Sequence, residues 1–357
     1  MKVYKIFLIS NFIKSFLYVF AVILSLVFIL NVLTEIEFFN EYNVKFYFPI
    51  YVSILNSPSL IFEIFPFIFM ICTQVFFINL FNNNQIQIFK YTGLKNSYIM
   101  SVLIFISFFL GIIIIALFYN VSSNLKNIYL KIKNKYTSND NYLAVITKNG
   151  LWIKDTNDNR TSIIHASKIN GTYLINTFIT EFDNEFKVIR HIQSPKVNIK
   201  YNNWVAKEVK VYQDNNNFNK NILEINSNFN YEKIQGMFSN LSSLSIYELY
   251  ELKKNYKSLS YSTTEVNLQL YKIISFPVYL MLMTILSSII MFNTRSLKSS
   301  TLKICVGLFL SVLIYYMNNF FYVMGKTERI SVLISILLPL FVLITINCFM
   351  ILKINEK

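Results

Sequence analysis

Residues Asn82 to Ser97 read NNNQIQIFKYTGLKNS and separate two long apolar runs, Leu60 to Leu80 and Tyr98 to Tyr119. Each run has the roughly 20 apolar residues that a bilayer crossing requires. The stretch between them is therefore a short loop at a membrane surface. Its own pattern is helical: Ile86, Ile88 and Phe89 gather toward one face, with Gln85, Gln87 and Lys90 around the others. Gly93 follows where a helix would end in a left-handed cap. A short amphipathic helix between two spans is what a transporter needs to receive a push from a soluble motor. A solvated hairpin linker reads equally well from these residues alone.

Composition agrees with a membrane chain. Of 357 residues, 54% are hydrophobic and only 15% charged, against about 25% charged in soluble domains. The formal charge of +14 does not indicate nucleic acid, because no basic run is long enough to form an electrostatic footprint and many lysines flank apolar segments. Cys72, Cys305 and Cys348 all fall within apolar runs. The large polar middle thus has neither a disulfide nor a cysteine metal site.

Working outward, Lys2, Lys5 and Lys14 precede a first span, Ser15 to Leu33, with no small-residue cleavage site after it. A polar loop, Thr34 to Ser57, leads to Pro58, which opens the second span; Pro66 sits within that span. After the third span, residues 120–264 carry short β-rich runs at 142–147, 151–154, 162–169, 174–182, 186–192, 197–201 and 204–212. Asn170-Gly171 and Asp183-Asn184 are among the turns between them. This spacing predicts a β-sandwich, jelly roll or open barrel, with Trp152 and Trp204 in its core. Ser245-x-x-Glu248 and Ser262-x-x-Glu265 fit capping boxes. The first opens an amphipathic helix and the second leads into a fourth span, Leu270 to Phe292. A fifth span covers Ile304 to Val323, and a sixth covers Ile330 to Leu352.

The expected architecture is six transmembrane helices in a three-plus-three arrangement, 1–119 and 265–357, with an extracytoplasmic β domain at 120–264. Lysine and arginine set its orientation. Lys2, Lys5, Lys14, Lys90, Lys95, Arg295, Lys298, Lys303, Lys353 and Lys357 share one side, while Lys45, Lys326 and Arg329 are on the other. Both termini and the 82–97 loop are then cytoplasmic.

No G-x-x-x-x-G-K-[ST] loop is present, so a transport cycle would draw its energy from a partner. His165 and His191 fall in predicted strands without metal-ligand spacing, and no cofactor is expected. Polar groups in the spans are better candidates, because burying them in lipid is expensive. Glu63 reads as interfacial. Asn318 and Asn319 suit either a helix interface or a substrate cavity. Lys272 suits either snorkelling to headgroups or contact with a lipid phosphate.

Several local patterns share one order along the chain. Asn84 to Gly93 aligns with S-E-L-x-V-M-R-A-x-G, and Pro58 with Pro66 matches P-x(7)-P. Gly150-Leu151-Trp152-Ile153-Lys154-Asp155 matches G-L-W-x-[KR]-D, and Leu244-Ser245-Ile246 with Leu249 matches L-S-I-x-x-L. Lys272, Pro277 and Arg295-Ser296 match K…P…R-S. Across nearly the whole chain this resembles the LptF/LptG permeases of the lipopolysaccharide exporter, the LptG branch above all.

The resemblance implies a transport subunit in a bacterial inner membrane, without an ATPase site of its own and with its β-jelly-roll-like domain in the periplasm. Its implied partners are an LptF-like permease, a dimer of LptB-like ATPases, LptC/LptA-like bridge proteins and lipopolysaccharide. Gln85, Ile86, Phe89, Lys90 and Gly93 would form the coupling helix. Because spans one and five meet the partner permease in this family, Asn31, Glu35, Asn318 and Asn319 become cavity or gate candidates alongside Lys272. Two positions depart from the pattern. Gln85 stands where the family has an acidic residue, and Thr34, Glu35 and Glu37 stand where LptG proteins often carry lysine. An LptF-like role and a non-transport membrane scaffold are the alternatives.

Overall fold

The computed structural model describes residues 3–42, 44–136, 151–157, 160–183, 185–213, 216–231, 234, 240–258, 262–293 and 300–355. The chain forms two compact units, Met1–Tyr129 with Thr264–Lys357, and Leu130–Thr263.

Among the described residues, the first unit contains six helices long and apolar enough to cross a membrane. They are α1 (Val3–Phe39), α2 (Tyr47–Asn82), α4 (Asn96–Ile113), α7 (Thr264–Asn293), α8 (Ser300–Lys326) and α9 (Val332–Asn355). The small α3 (Gln85–Tyr91) lies between α2 and α4. A π-helical segment, Ile114–Tyr119, joins α4 to α5 (Asn120–Asn134) without a break. The helices α1 and α2 run 37 and 36 residues, or about 55 Å each at 1.5 Å per residue. A bilayer core is about 30 Å thick, so both extend well past it.

That length corrects two expectations. The 34–57 loop shrinks to the few residues between Phe39 and Tyr47, and Pro58 lies inside α2 rather than opening it. Hydropathy marks the lipid-embedded part of a helix and not its ends. The polar residues beyond the apolar run are helical here because neighbouring helices satisfy them. Asn31 Nδ2 donates to the Ser53 carbonyl at 3.1 Å, and Asn56 Nδ2 donates to Asn31 Oδ1 at 3.1 Å.

The central pair is α2 and α7. Their apolar windows are 67% buried, against 11% to 22% for the other four, which leaves α1, α4, α8 and α9 to face lipid or partners. Phenylalanines fill the space beside this pair: Phe62 stacks on Phe276 at 4.6 Å, and Phe65 meets Phe118 edge-on at 5.2 Å. The wider π turn brings consecutive residues inward together, Phe118 onto Phe65 and Tyr119 onto Phe62. A second cluster joins Met70, Leu282, Met283, Leu286, Ile314, Leu340 and Leu343 across α2, α7, α8 and α9. Polar cross-links run through the same packing. Thr284 Oγ1 donates to Ser107 Oγ at 2.9 Å, Ser287 Oγ to the Met70 carbonyl at 2.9 Å, and Asn347 Nδ2 to the Leu282 carbonyl at 3.2 Å.

Among the described residues, the second unit holds a six-stranded antiparallel sheet in sequential order, inserted between the third and fourth spans. Its strands are β1 (Leu151–Asn157), β2 (Arg160–Asn170), β3 (Tyr173–Phe182), β4 (Val188–Asn198), β5 (Asn203–Gln213) and β6 (Asn216–Asn226). The run expected at 142–147 lies outside the described residues. The runs at 186–192 and 197–201 are one strand, β4, which continues through Pro195. Proline cannot donate to the ladder. Here Ser194 Oγ donates to the Lys207 carbonyl at 2.6 Å, and Glu208 takes a left-handed φ of 52° opposite the interruption.

The asparagine-rich β6 is placed by its pairing with β5, Trp204 opposite Ile225 and Ala206 opposite Leu223. The expectation for the two tryptophans is half corrected. Trp204 is fully buried, with Nε1 donating to the Phe229 carbonyl at 2.7 Å, whereas Trp152 is 57% exposed and lies tilted against His165 at 4.3 Å. Asp155 of β1 accepts from Ser227 Oγ (2.7 Å), Asn228 N (3.1 Å) and Asn228 Nδ2 (3.0 Å). The sheet therefore curls until its first strand meets the segment leaving its last. Beyond it, α6 (Ile246–Ser258) starts with a capping box, the Ser245 backbone N–H donating to Glu248 Oε2 at 2.7 Å.

Candidate functional site

The helix α3 is held between two left-handed residues. Asn84 enters it at φ 55°, and Gly93 leaves it at φ 81°. The exit is a Schellman motif: Leu94 N–H donates to the Phe89 carbonyl at 2.9 Å, and Gly93 N–H to the Lys90 carbonyl at 3.0 Å. A side chain at position 93 would strain this turn.

Ile86 and Phe89 are not the outward face of this helix. Ile86 is 5% exposed, and Phe89 packs edge-on against Phe7 of α1 at 6.1 Å. They are anchors. Gln85 is half-buried, while Lys90 is exposed and points away with Gln87. The apolar residues left outward are Ile88, 57% exposed, and Tyr91, 89% exposed. Spaced three apart, they share a face. The amphipathic pattern identified a helix but put Ile88 on the wrong side, because α3 has apolar residues on both faces.

Toward the other end of the bundle, Asn31 and Glu35 are both buried. Asn31 is engaged by Ser53 and Asn56 of α2, and Glu35 accepts from the Tyr129 hydroxyl of α5 at 2.9 Å. Their hydrogen bonds tie α1 to α2 and α5. Asn31→Leu is expected to cost about 1 kcal/mol, in line with hydrogen bonds between membrane helices, and a thermal melt of the purified chain checks it. Asn318 is half-buried and hydrogen-bonded to the Tyr279 hydroxyl, whereas Asn319 is exposed.

Lys272 is exposed, with its Nζ 5.5 Å from the centre of the Tyr322 ring. Glu63 of α2 and Lys126 of α5 lie within electrostatic reach of it. The level of this group is set by the packing of Phe62 against Phe276 and Tyr119, which are respectively adjacent to Glu63, one turn past Lys272 and two turns before Lys126. Lys126 was missed because it belonged to a stretch read as part of the β domain. Its helical continuation from the third span brings it here. Among the described residues, no three His, Cys, Asp or Glu side chains gather as a metal site.

A bundle of six apolar helices interrupted after the third by an antiparallel sheet defines a multi-pass membrane protein with one inserted β domain. The family described as "Lipopolysaccharide export system permease LptF/LptG" matches residues 6–353, and the chain belongs to it. It is thus a lipopolysaccharide-export permease subunit of the inner membrane, part of a transport system and not a catalytic enzyme. No curated protein matches the chain.

Proposed function

We propose that this chain is the LptG-like permease of its exporter, paired with an LptF-like subunit and driven by two cytoplasmic LptB-like ATPases. The G-L-W-x-[KR]-D pattern ending at Asp155 and the L-S-I-x-x-L pattern before α6 support the LptG branch. The LptF-like role is the second reading, and the bridge protein that binds the β domain decides between them. Both termini and α3 face the cytoplasm, and the β domain faces the periplasm, as the lysine bias supports.

One observation carries the coupling role. The helix α3 is anchored by Ile86 and Phe89 yet leaves apolar Ile88 and Tyr91 exposed beside Lys90. Exposed apolar residues on a rigidly capped helix suit an apolar pocket in a motor subunit. Gln85 supplies no charge at its position, so Ile88 and Tyr91 bear the contact. When ATP draws the motor subunits together, α3 transmits the movement to α1 and α2, and lipopolysaccharide is expelled toward LptC/LptA-like bridge proteins. Lys126, Lys272 and Asn319 are the proposed lipid-facing contacts. Asn31, Glu35 and Asn318 position the helices that carry them.

The test is co-purification of the tagged chain from its native membrane. Ile88→Glu combined with Tyr91→Ala is expected to reduce recovery of a P-loop ATPase about tenfold, a loss of ~1.4 kcal/mol, while the second permease still co-purifies. Recovery of neither partner by the unaltered chain would favour the scaffold reading.

A further inference from the structure

The helices α1 and α4 do not pack along their whole shared length. Tyr4 meets Tyr98 at 5.6 Å near one end, and Phe20 meets Phe118 of the π segment at 6.3 Å toward the other. Between these two ring contacts the helices part. A groove of about 530 Å³ opens there, walled by Ile9, Val102, Phe105, Ile106, Phe109 and Ile113. Only one end is polar, where Lys5 and Tyr98 line it, the lysine Nζ lying 5.8 Å from the centre of the tyrosine ring.

The dimensions select an occupant. From Tyr98 to Ile113 the groove follows about 22 Å of helix at 1.5 Å per residue. One leaflet of hydrocarbon is about 15 Å deep, half of a 30 Å core. The groove therefore starts at headgroup level on the α3 side and passes through one leaflet, with its cation only at the headgroup end. A single extended hydrocarbon chain is thin enough, and a phosphate beside Lys5 completes the charge.

We propose that the groove between α1 and α4 is a phospholipid site, holding one acyl chain along Val102, Phe105, Ile106 and Phe109 with the lipid's phosphate against Lys5. The site is separate from the export substrate. It requires only that α1 and α4 lie in a membrane, so it stands whether the chain is LptG-like or LptF-like. A lipid seated there fills the gap that α1 leaves against α4 and braces α1, the span least buried by its own subunit.

The experiment uses the full chain reconstituted in vesicles containing a phosphatidylglycerol with a diazirine on one acyl chain. Photolysis is expected to label peptides containing Phe105 and Ile106. Ile106→Trp, which fills the groove, should cut that labelling about tenfold while the buried Cys72 thiol stays protected from alkylation, which shows that the bundle is intact. Lys5→Gln should weaken labelling by the anionic probe and leave a probe with an uncharged diacylglycerol head unaffected. Equal labelling of the filled and unaltered chains would reduce the site to ordinary boundary lipid and overturn the proposal. So would mass spectrometry of the washed chain that finds lipopolysaccharide as the retained lipid, or a cross-linker at Phe105 that captures a protein helix.

Discussion

Replacing Asp155 with alanine is expected to unfold the β domain at a temperature about 10 °C below that of the unaltered chain. Three hydrogen bonds end on this carboxylate, from Ser227 Oγ, Asn228 N and Asn228 Nδ2, and the group is 3% exposed. Hydrogen bonds to charged groups contribute about 1.5–3 kcal/mol each, and donors left unpaired in a buried site add to the loss. Because the three share one acceptor and relax together, a combined cost of about 3 kcal/mol is the appropriate scale. In a unit of this size each kcal/mol moves the midpoint by about 4 °C. The damage propagates. Ser227 Oγ also accepts from Phe229 N at 3.1 Å, and the Phe229 carbonyl holds Trp204 Nε1 at 2.7 Å. The only two tryptophans, Trp152 and Trp204, both lie in this unit, so tryptophan fluorescence of the intact chain follows the β domain by itself. Asp155→Asn keeps one acceptor oxygen and should lose about half as much. A midpoint within about 2 °C of the unaltered chain would mean that the first strand is held by apolar packing instead.

The role of Asp155 was not readable from its neighbourhood. In the sequence it ends the run Leu151-Trp152-Ile153-Lys154-Asp155, and nothing local names Ser227 or Asn228 as its partners. Contacts of that range are set by how far the sheet curls, and strand periodicity does not encode curl. The spans were legible for the opposite reason. Bilayer thickness imposes a length on apolar runs, and six such runs are present. Local cap chemistry was equally visible, with Gly93 in the left-handed exit of α3 and Glu248 folded back onto Ser245. Helix ends beyond the lipid were not visible, because Glu35 and Asn56 resemble loop residues until their partners on other helices are known.

The candidate site divides along the same line. That α3 exists could be read from alternation and a glycine. Which face it shows to a partner could not, because the two apolar faces, Ile86 with Phe89 and Ile88 with Tyr91, are equivalent to a periodicity argument. The contact of Phe89 with Phe7, from a helix that begins the chain, breaks that equivalence. Lys126 and Lys272 were separated by the apparent boundary at Tyr119, and the continuation of the third span through a π turn removed it.

The second large effect is expected at Gly111, where alanine should separate α4 from α7. The buried stripe of α4 is Ile99, Leu103, Ser107 and Gly111, one residue per turn, and the small pair Ser107 and Gly111 lets two membrane helices approach closely. A Cβ at Gly111 would lie 2.8 Å from Pro277 Cα and 3.0 Å from Pro277 Cβ. Neither atom can swing aside, because both belong to a ring fused to the backbone. The helices must part, and the Thr284–Ser107 hydrogen bond lies one turn away along the same stripe. Overpacking of this kind costs about 1–3 kcal/mol, and the upper end applies when backbone must move. Alkylation of Cys72, wholly buried and on α2, reports bundle opening once the exposed thiols are removed by Cys305→Ser and Cys348→Ser. Gly111→Ala is expected to raise that rate about a hundredfold, equivalent to ~2.7 kcal/mol. Gly307 is the control for the argument. The three atoms nearest a methyl group there all belong to the amide of Gln74, whose Nε2 donates to the Lys303 carbonyl at 2.9 Å. That side chain can rotate, so Gly307→Ala should cost less, and adding Gln74→Ala should recover much of the loss. Equal tolerance of alanine at positions 111 and 307 would show that α4 and α7 are free to slide past one another, and the central pair α2 and α7 would then be the only fixed part of the bundle.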